Sequence, residues 1–234
     1  MGLLRQIKSR LARPGQISFA QSGEDLICWH LLNYVFRIEK PTYLDVGAHH
    51  PTHFSNSYFF SKRRCYGVMI EPDPTLHALI RQKRPKDICL NCGIGKERAS
   101  QAEFFIFNVK TLNTFSAIER DANLKLGYVL EKTMMIPLMP IDEIIEKHFH
   151  AQASPFPNFF SLDTEGYDLQ ILESLDFARY RPEVICVETL EYASQNKTQP
   201  IFDLMAAKGY RVYADTFINT IFVENRAWES RRKD

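Results

Sequence analysis

Two short apolar runs in this chain each deliver a carboxylate near their end: Tyr43-Leu44-Asp45-Val46-Gly47-Ala48-His49 and Val68-Met69-Ile70-Glu71-Pro72. The first reads as a buried strand ending in an acid and a Gly turn. The second reads as a buried strand ending in an acid. The interval between them fits one β-α-β unit, so the strands are expected to lie parallel. Ligands of such sheets sit off the carboxyl ends of the strands. A Gly loop lets the backbone approach a ligand. A carboxylate at the second strand tip can accept hydrogen bonds from both hydroxyls of a ribose. These features point to a nucleoside cofactor near Gly47 and Glu71, although a strand turn with no cofactor has the same local composition. S-adenosylmethionine (SAM) suits the loop better than a dinucleotide. A pyrophosphate asks for Gly-x-Gly-x-x-Gly opening a helix, and this loop has one glycine before Ala48-His49-His50-Pro51. An acid before the turn also suits a cationic sulfonium ligand carrying an ammonium group.

Strand-like and helix-like segments alternate from Tyr43 onward. Apolar runs predict strands at 43–47, 65–70, 88–92, 102–107, 133–138, 159–163, 184–189, 210–213 and 220–223. Helical spacing predicts helices at about 24–36, 54–62, 75–83, 141–149, 167–175 and 198–208. Near-continuous apolar strands such as Val184-Ile185-Cys186-Val187 suit a parallel sheet covered on both faces. The last two strands are joined by a short turn, Ala214 to Asn219, and should form an antiparallel hairpin. The expected fold is α/β, doubly wound and Rossmann-like, with one antiparallel strand near the C-terminal edge of a mainly parallel sheet. That pattern fits a class I methyltransferase, seven-stranded, better than a dinucleotide dehydrogenase. Segment 108–132 has weaker periodicity and reads as an insertion or lid near the site. The chain divides into a basic amphipathic segment (1–17), one large domain (18–225) and a charged, solvated tail (226–234).

Other classes of function are set aside by composition. A formal net charge of +1 gives no field that demands nucleic acid. Five cysteines (Cys28, Cys65, Cys89, Cys92, Cys186) lie mostly within apolar runs. Cys89 and Cys92 form a lone C-x-x-C, read as a strand end rather than a zinc or redox site. Buried free thiols point to a reducing compartment, hence the cytoplasm. No apolar run is long enough to cross a membrane, and no secretory leader is recognisable. Leu3, Leu4, Ile7 and Leu11 have helical spacing among basic residues. They suit either a helix lying on an anionic membrane or, as the preferred reading, a helix packed on the domain or a frayed end. Gln6 stands where a myristoylation signal needs Ser or Thr.

Several further motifs occur in order along the chain. They are Ser18-Phe19-Ala20-Gln21-Ser22-Gly23-Glu24-Asp25-Leu26, Leu44-Asp45-Val46-Gly47-Ala48-His49-His50-Pro51, Ser55-Asn56-Ser57-Tyr58 and Ile70-Glu71-Pro72. They continue with Leu112-Asn113-Thr114-Phe115-Ser116, Phe160-Ser161-Leu162-Asp163-Thr164-Glu165-Gly166-Tyr167-Asp168 and Asn219-Thr220-Ile221-Phe222-Val223. Read together, from about residue 18 to 224, they resemble the FkbM family of SAM-dependent methyltransferases. The family's commoner loop has Asn where this chain has His49. The resemblance implies methyl transfer from SAM, typically to a hydroxyl oxygen of a sugar or a polyketide-like product. It implies that Asp45, Gly47 and His49 line the methionine side of the cofactor and that Glu71 holds the ribose. It places Asn91, Cys92 and Gly93 against the adenine, with Gln21 and Glu24 as a cap. Glu24 also suits a helix start, where the dipole favours an acid.

Asp163 is expected at the tip of one parallel strand and Glu188 at the tip of the next, about 5 Å away. Methylating an alcohol requires a proton to leave oxygen, and Asp163, Glu188 or His53 could take it as general base. A second arrangement uses Asp163, Glu188 and a His, with His50 the chosen ligand, to bind Mg²⁺ or Mn²⁺ and lower the pKa of the hydroxyl. In a third, Asp163 bonds the SAM ammonium, Glu165 caps the next helix, and the histidines are plain loop residues. Tyr167 and Tyr192 are candidate acceptor contacts. The expected activity is O-methylation of a sugar hydroxyl, on a glycan or nucleotide sugar, or of a related metabolite. The alternatives are methylation of a natural-product scaffold and a non-catalytic SAM-binding partner in polysaccharide assembly.

Overall fold

Alternate residues of the central strands enter two different cores. In the computed structural model, which describes residues 16–96, 100–191 and 195–231, Leu44, Val46, Val68, Ile70, Phe160, Leu162, Ile185 and Val187 share one core. Their neighbours Tyr43, Met69, Phe159, Val184 and Cys186 share the other. Both faces are therefore covered, as near-continuous apolar strands require. A slip of one residue would exchange the two sets, so this pattern pins the register. The amphipathic reading of 1–17 and the candidate contact Tyr192 lie outside the described residues, apart from positions 16 and 17. The last three residues of the charged tail also lie outside them.

The strands are β1 (Tyr43–Val46), β2 (Gly67–Ile70), β3 (Ile88–Leu90), β4 (Gly93–Ile94), β5 (Gln101–Phe107) and β6 (Leu130–Met139). They continue as β7 (Phe159–Leu162), β8 (Val184–Glu188), β9 (Leu190–Glu191), β10 (Asn196–Lys197), β11 (Tyr210–Asp215) and β12 (Asn219–Glu224). The helices are α1 (Glu24–Trp29), α2 (Tyr58–Lys62), α3 (Pro74–Lys83), α4 (Ala117–Lys125), α5 (Ile141–Phe149), α6 (Asp168–Ser174), α7 (Gln199–Ala207) and α8 (Asn225–Ser230). Seven strands form one sheet in the order β11-β12-β8-β7-β1-β2-β3. The five from β8 to β3 are parallel. Strand β12 is antiparallel to both neighbours, one place in from the edge. The expected doubly wound, mainly parallel sheet is thus present. Its order reverses at β1, which lies between β2 and β7, and such a switch point opens a crevice for a ligand.

Residues of α1, α2 and α3 cover one face, with Cys28, Phe59, Phe60 and Ile80 buried there. Residues of α5, α6 and α7 cover the other, led by Ile144, Ile145, Leu172 and Met205. Each such side chain contributes about 1.5–3 kcal/mol by leaving water, so the crevice stands on a rigid base.

The structure adds detail to two of the expected segments and differs from two of the expected helices. Strands β5 and β6 do not join the main sheet. They pair antiparallel with each other in a three-stranded sheet with β4. The weakly periodic segment between them contains a short 3-10 turn (Lys110–Leu112) and α4. Helix α4 has little core-facing surface: Ile118 is 80% exposed, so no apolar stripe marks it. The helix expected at 24–36 is α-helical only to Trp29 and continues as a π-helix over His30–Val35. The one expected at 54–62 begins at Tyr58, because the chain before it turns through Phe54 at positive φ.

Candidate active site

A cavity of about 680 Å³ lies off the carboxyl ends of the central strands, lined among others by Gly47, Glu71, Asp163 and Glu188. Its volume falls in the usual range of about 300–1,000 Å³ for cofactor sites. The β5–β6 sheet and the segment between its strands supply further wall, including Phe104, Asn113 and Phe115.

Gly47 shapes the floor. Its φ is +81°, and a Cβ there would lie 1.7 Å from the Asp163 carbonyl oxygen. Only a residue without a side chain fits between the β1 and β7 tips. The amides of Gly47 and Ala48 both donate to the Ile70 carbonyl, at 3.1 Å. His49 then turns through φ 51° and lines the cavity. Glu71 follows β2. Its Oε2 accepts from the His49 amide at 2.7 Å, and its Oε1 from the Asp73 amide at 2.8 Å. Burial pushes its carboxyl up to about 8 against the pull of those two donors. A carboxylate has about four lone-pair sites, so both oxygens keep capacity for ligand hydroxyls.

Opposite Glu71 stands an acidic cluster. Parallel pairing of Leu162 with Val187 sets the next residues of both strands at the cavity. One oxygen each of Asp163, Glu165 and Glu188 lies within 4.8 Å of the others. Asp163 is pushed up to about 7, by burial first and then by the charges of Asp168 and Asp45. Glu165 and Glu188 are held well above the ordinary carboxylate range, again by burial and then by Asp163. Asp168 is raised to about 6 by burial, although Thr164 donates to it. These groups cannot all be ionised together unless positive charge joins them. Glu165 does not cap α6, whose N-cap Tyr167 makes no side-chain cap bond. It sits at φ 53°, and its carbonyl accepts from the buried Thr114 hydroxyl at 2.7 Å.

The other residues singled out from the sequence fall into two groups. Gln21, His49, Gly93 and Tyr167 line the cavity with Gly47, Glu71, Asp163 and Glu188. Asp45, Glu24, Asn91, Cys92, His50 and His53 do not appear in its lining. Asp45 is in phase with Tyr43 and therefore faces the α1–α3 layer. There its carboxylate accepts from Ser57, which in turn accepts from Arg84 at 3.1 Å. Glu24 is fully buried and ties α1 to the β11–β12 hairpin through Thr216 (2.7 Å) and Asn219 (3.1 Å). Asn91 clamps the loop after β2 by donating to the Glu71 and Pro72 carbonyls. Cys92 belongs to the core. All five cysteines are unpaired. The exposed His53 gives its amide to His50 Nδ1 at 3.1 Å, in a local loop turn. The carboxylates are therefore grouped by the structure with Glu165, not with His50 or His53. Glu165 and Asn219 are among the cavity residues whose place the sequence reading missed. The signal for Asn219 was its position at the start of the strand that pairs with Glu188.

The Gly47 cradle, the Glu71 carboxylate and the cavity between them fit a nucleoside-bearing cofactor such as SAM. A family model described as the methyltransferase FkbM domain matches residues 45–212. No curated protein matches at a significant level. Solved structures with similar chain paths include a TehB-like SAM-dependent methyltransferase from Corynebacterium glutamicum (9% identity, TM-score 0.44, covering 94% of this chain and 96% of that one). Another is the magnesium protoporphyrin IX methyltransferase from Synechocystis with bound SAM (9%, 0.43, 95% and 92%). A third is an O-methyltransferase from Bacillus cereus in complex with S-adenosylhomocysteine (10%, 0.44, 94% and 86%). The family assignment rests on the matched residues alone. With its matched region running from β1 into β11, this chain belongs to the FkbM family of SAM-dependent methyltransferases.

Proposed function

We propose that the protein is an O-methyltransferase that methylates a hydroxyl of a sugar, on a glycan or nucleotide sugar, or of a closely related small metabolite. The observation that carries this reading is the cavity itself, with Glu71 on one side and the Asp163–Glu165–Glu188 cluster on the other. Glu71 would hold the cofactor ribose, and Gly47 and His49 would lie along its methionine side. Bound SAM supplies a methyl carbon on a sulfonium: as the acceptor oxygen bonds to that carbon, the carbon–sulfur bond breaks and neutral S-adenosylhomocysteine (SAH) is left. The chain's own task is to orient the hydroxyl in line and to take its proton. Asp163 suits that second task, since a carboxyl raised to about 7 is a stronger base than an ordinary one and is still available near neutral pH. The polar wall of carboxylates favours an acceptor rich in hydroxyl donors. Among the described residues no helix is long and apolar enough to cross a membrane. The unpaired cysteines support a cytoplasmic location.

Transfer of labelled methyl from SAM to a panel of nucleotide sugars and simple glycosides tests this reading. Product that resists base hydrolysis as an ether is expected, and in assays without divalent cation turnover rises as pH climbs to about 7 and levels above. Methylation confined to nitrogen or carboxylate acceptors would contradict it.

A further inference from the structure

Three carboxylates meet on one part of the cavity wall, and a buried carboxamide stands beside them across the strand ladder. The carboxylates are those of Asp163, Glu165 and Glu188, with one oxygen of each within 4.8 Å of the others. The carboxamide belongs to Asn219, which opens β12 directly across the ladder from Glu188 and lines the same cavity. Asn219 is 2% exposed. Its Nδ2 donates to Glu24 at 3.1 Å, which fixes the orientation of the amide. Its Oδ1 has no hydrogen-bond partner among the described residues. A buried carboxamide oxygen without a donor is uncommon in a folded protein and asks for a proton donor or a cation. Three carboxylates this close must hold protons between them, as the hydrogen bond of Asp163 with Glu188 shows, or take up a cation in their place.

We propose that Asp163, Glu165, Glu188 and Asn219 form a binding site for a hard divalent cation of the Mg²⁺ or Mn²⁺ class. All four donors are oxygen, which selects hard ions over those that favour thiolate or imidazole. Oxygens around an octahedral Mg²⁺ lie about 3.0 Å apart when adjacent and about 4.2 Å apart when opposite, so the three carboxylates would draw together on binding from their spread of up to 4.8 Å. Four protein ligands leave two of six positions for water or for a hydroxyl of the acceptor. The role of the ion rests on the methyltransferase reading: a cation here would orient the acceptor hydroxyl and ease loss of its proton. The site itself rests on the ligand set.

The test is Mn²⁺ binding to the full chain, read by loss of the free-ion electron paramagnetic resonance signal, alongside calorimetric titration with SAH. One saturable Mn²⁺ site per chain is expected, displaced by Mg²⁺. Glu165→Gln should weaken it at least about tenfold while SAH affinity is retained. Glu188→Gln serves the same purpose should the first variant not fold. Absence of saturable Mn²⁺ binding, or binding that neither variant weakens, overturns the site. SAH binding without Mn²⁺ binding removes the cation site alone. Variant-sensitive Mn²⁺ binding without SAH binding upholds the site and removes the methyltransferase reading.

Discussion

Gly47 decides whether the cavity exists. Its positive φ could be borne by another residue at moderate cost, but a Cβ lying 1.7 Å from the Asp163 carbonyl oxygen could not. Gly47→Ala must push the β1 and β7 tips apart. It is expected to destabilise the fold by about 2–4 kcal/mol and to abolish cofactor binding. Urea denaturation checks the first outcome and SAH titration the second; an unchanged midpoint would remove the close packing of these tips. The carboxylates near it illustrate how position along a strand sets a residue's task. Asp45 and Glu71 both come from the apolar runs that dominate the sequence. Glu71 follows its strand and reaches the cavity. Asp45 lies inside β1, in phase with Tyr43, and is turned down toward Ser57 and Arg84.

Among the elements, the turn Leu112-Asn113-Thr114-Phe115-Ser116 holds the second sheet to the first. Asn113 receives the Phe107 amide and donates to Asp73, the residue that caps α3. Thr114 donates to the Glu165 carbonyl and accepts from the Ser116 amide at 2.8 Å. Thr114→Val keeps the shape and removes both bonds. A loss of about 1–3 kcal/mol is expected, with turnover reduced further because the loop carrying Glu165 is released. Denaturation and turnover that both match the parent protein would contradict that role. The main sheet was legible from the sequence because its strands are apolar on both faces and end in acids or glycine. The β5–β6 hairpin was not, because its outer residues are exposed and its strands look like any others until pairing is known. Helix α4 was missed for want of an apolar stripe. The Asp163 and Glu188 strand tips were legible from strand order alone. The grouping with Glu165 and Asn219 was not, since it depends on a positive-φ turn and on an antiparallel register. His50 and His53 looked like ligands by type, yet the His50 ring accepts the Thr52 and His53 amides of its own turn, and the exposed His53 ring lies beside it.

For the whole molecule, the acidic cavity sets a cost on the empty fold. Burial, with the charges of Asp168 and Asp45, holds the Asp163 carboxyl near 7 in the folded chain. An unfolded Asp titrates near 4, roughly. The folded chain therefore binds the extra proton through that window, and its contribution to stability falls as pH rises from about 4 to about 7, then levels. Asparagine at this position does not titrate. The stability of Asp163→Asn relative to the parent should thus increase with pH across the window, read from urea midpoints at its two ends. A pH-independent difference would show that the carboxyl is not raised.

The central claim is that the Gly47–Glu71 crevice binds the cofactor of a methyltransferase, and titration calorimetry with SAH, on the parent chain and on Glu71→Gln, tests it most directly. One saturable site is predicted, weakened on the order of tenfold by the substitution as the ribose loses a carboxyl oxygen that accepts its hydrogen bonds. No binding to the parent chain, or equal affinity in the two proteins, would contradict it.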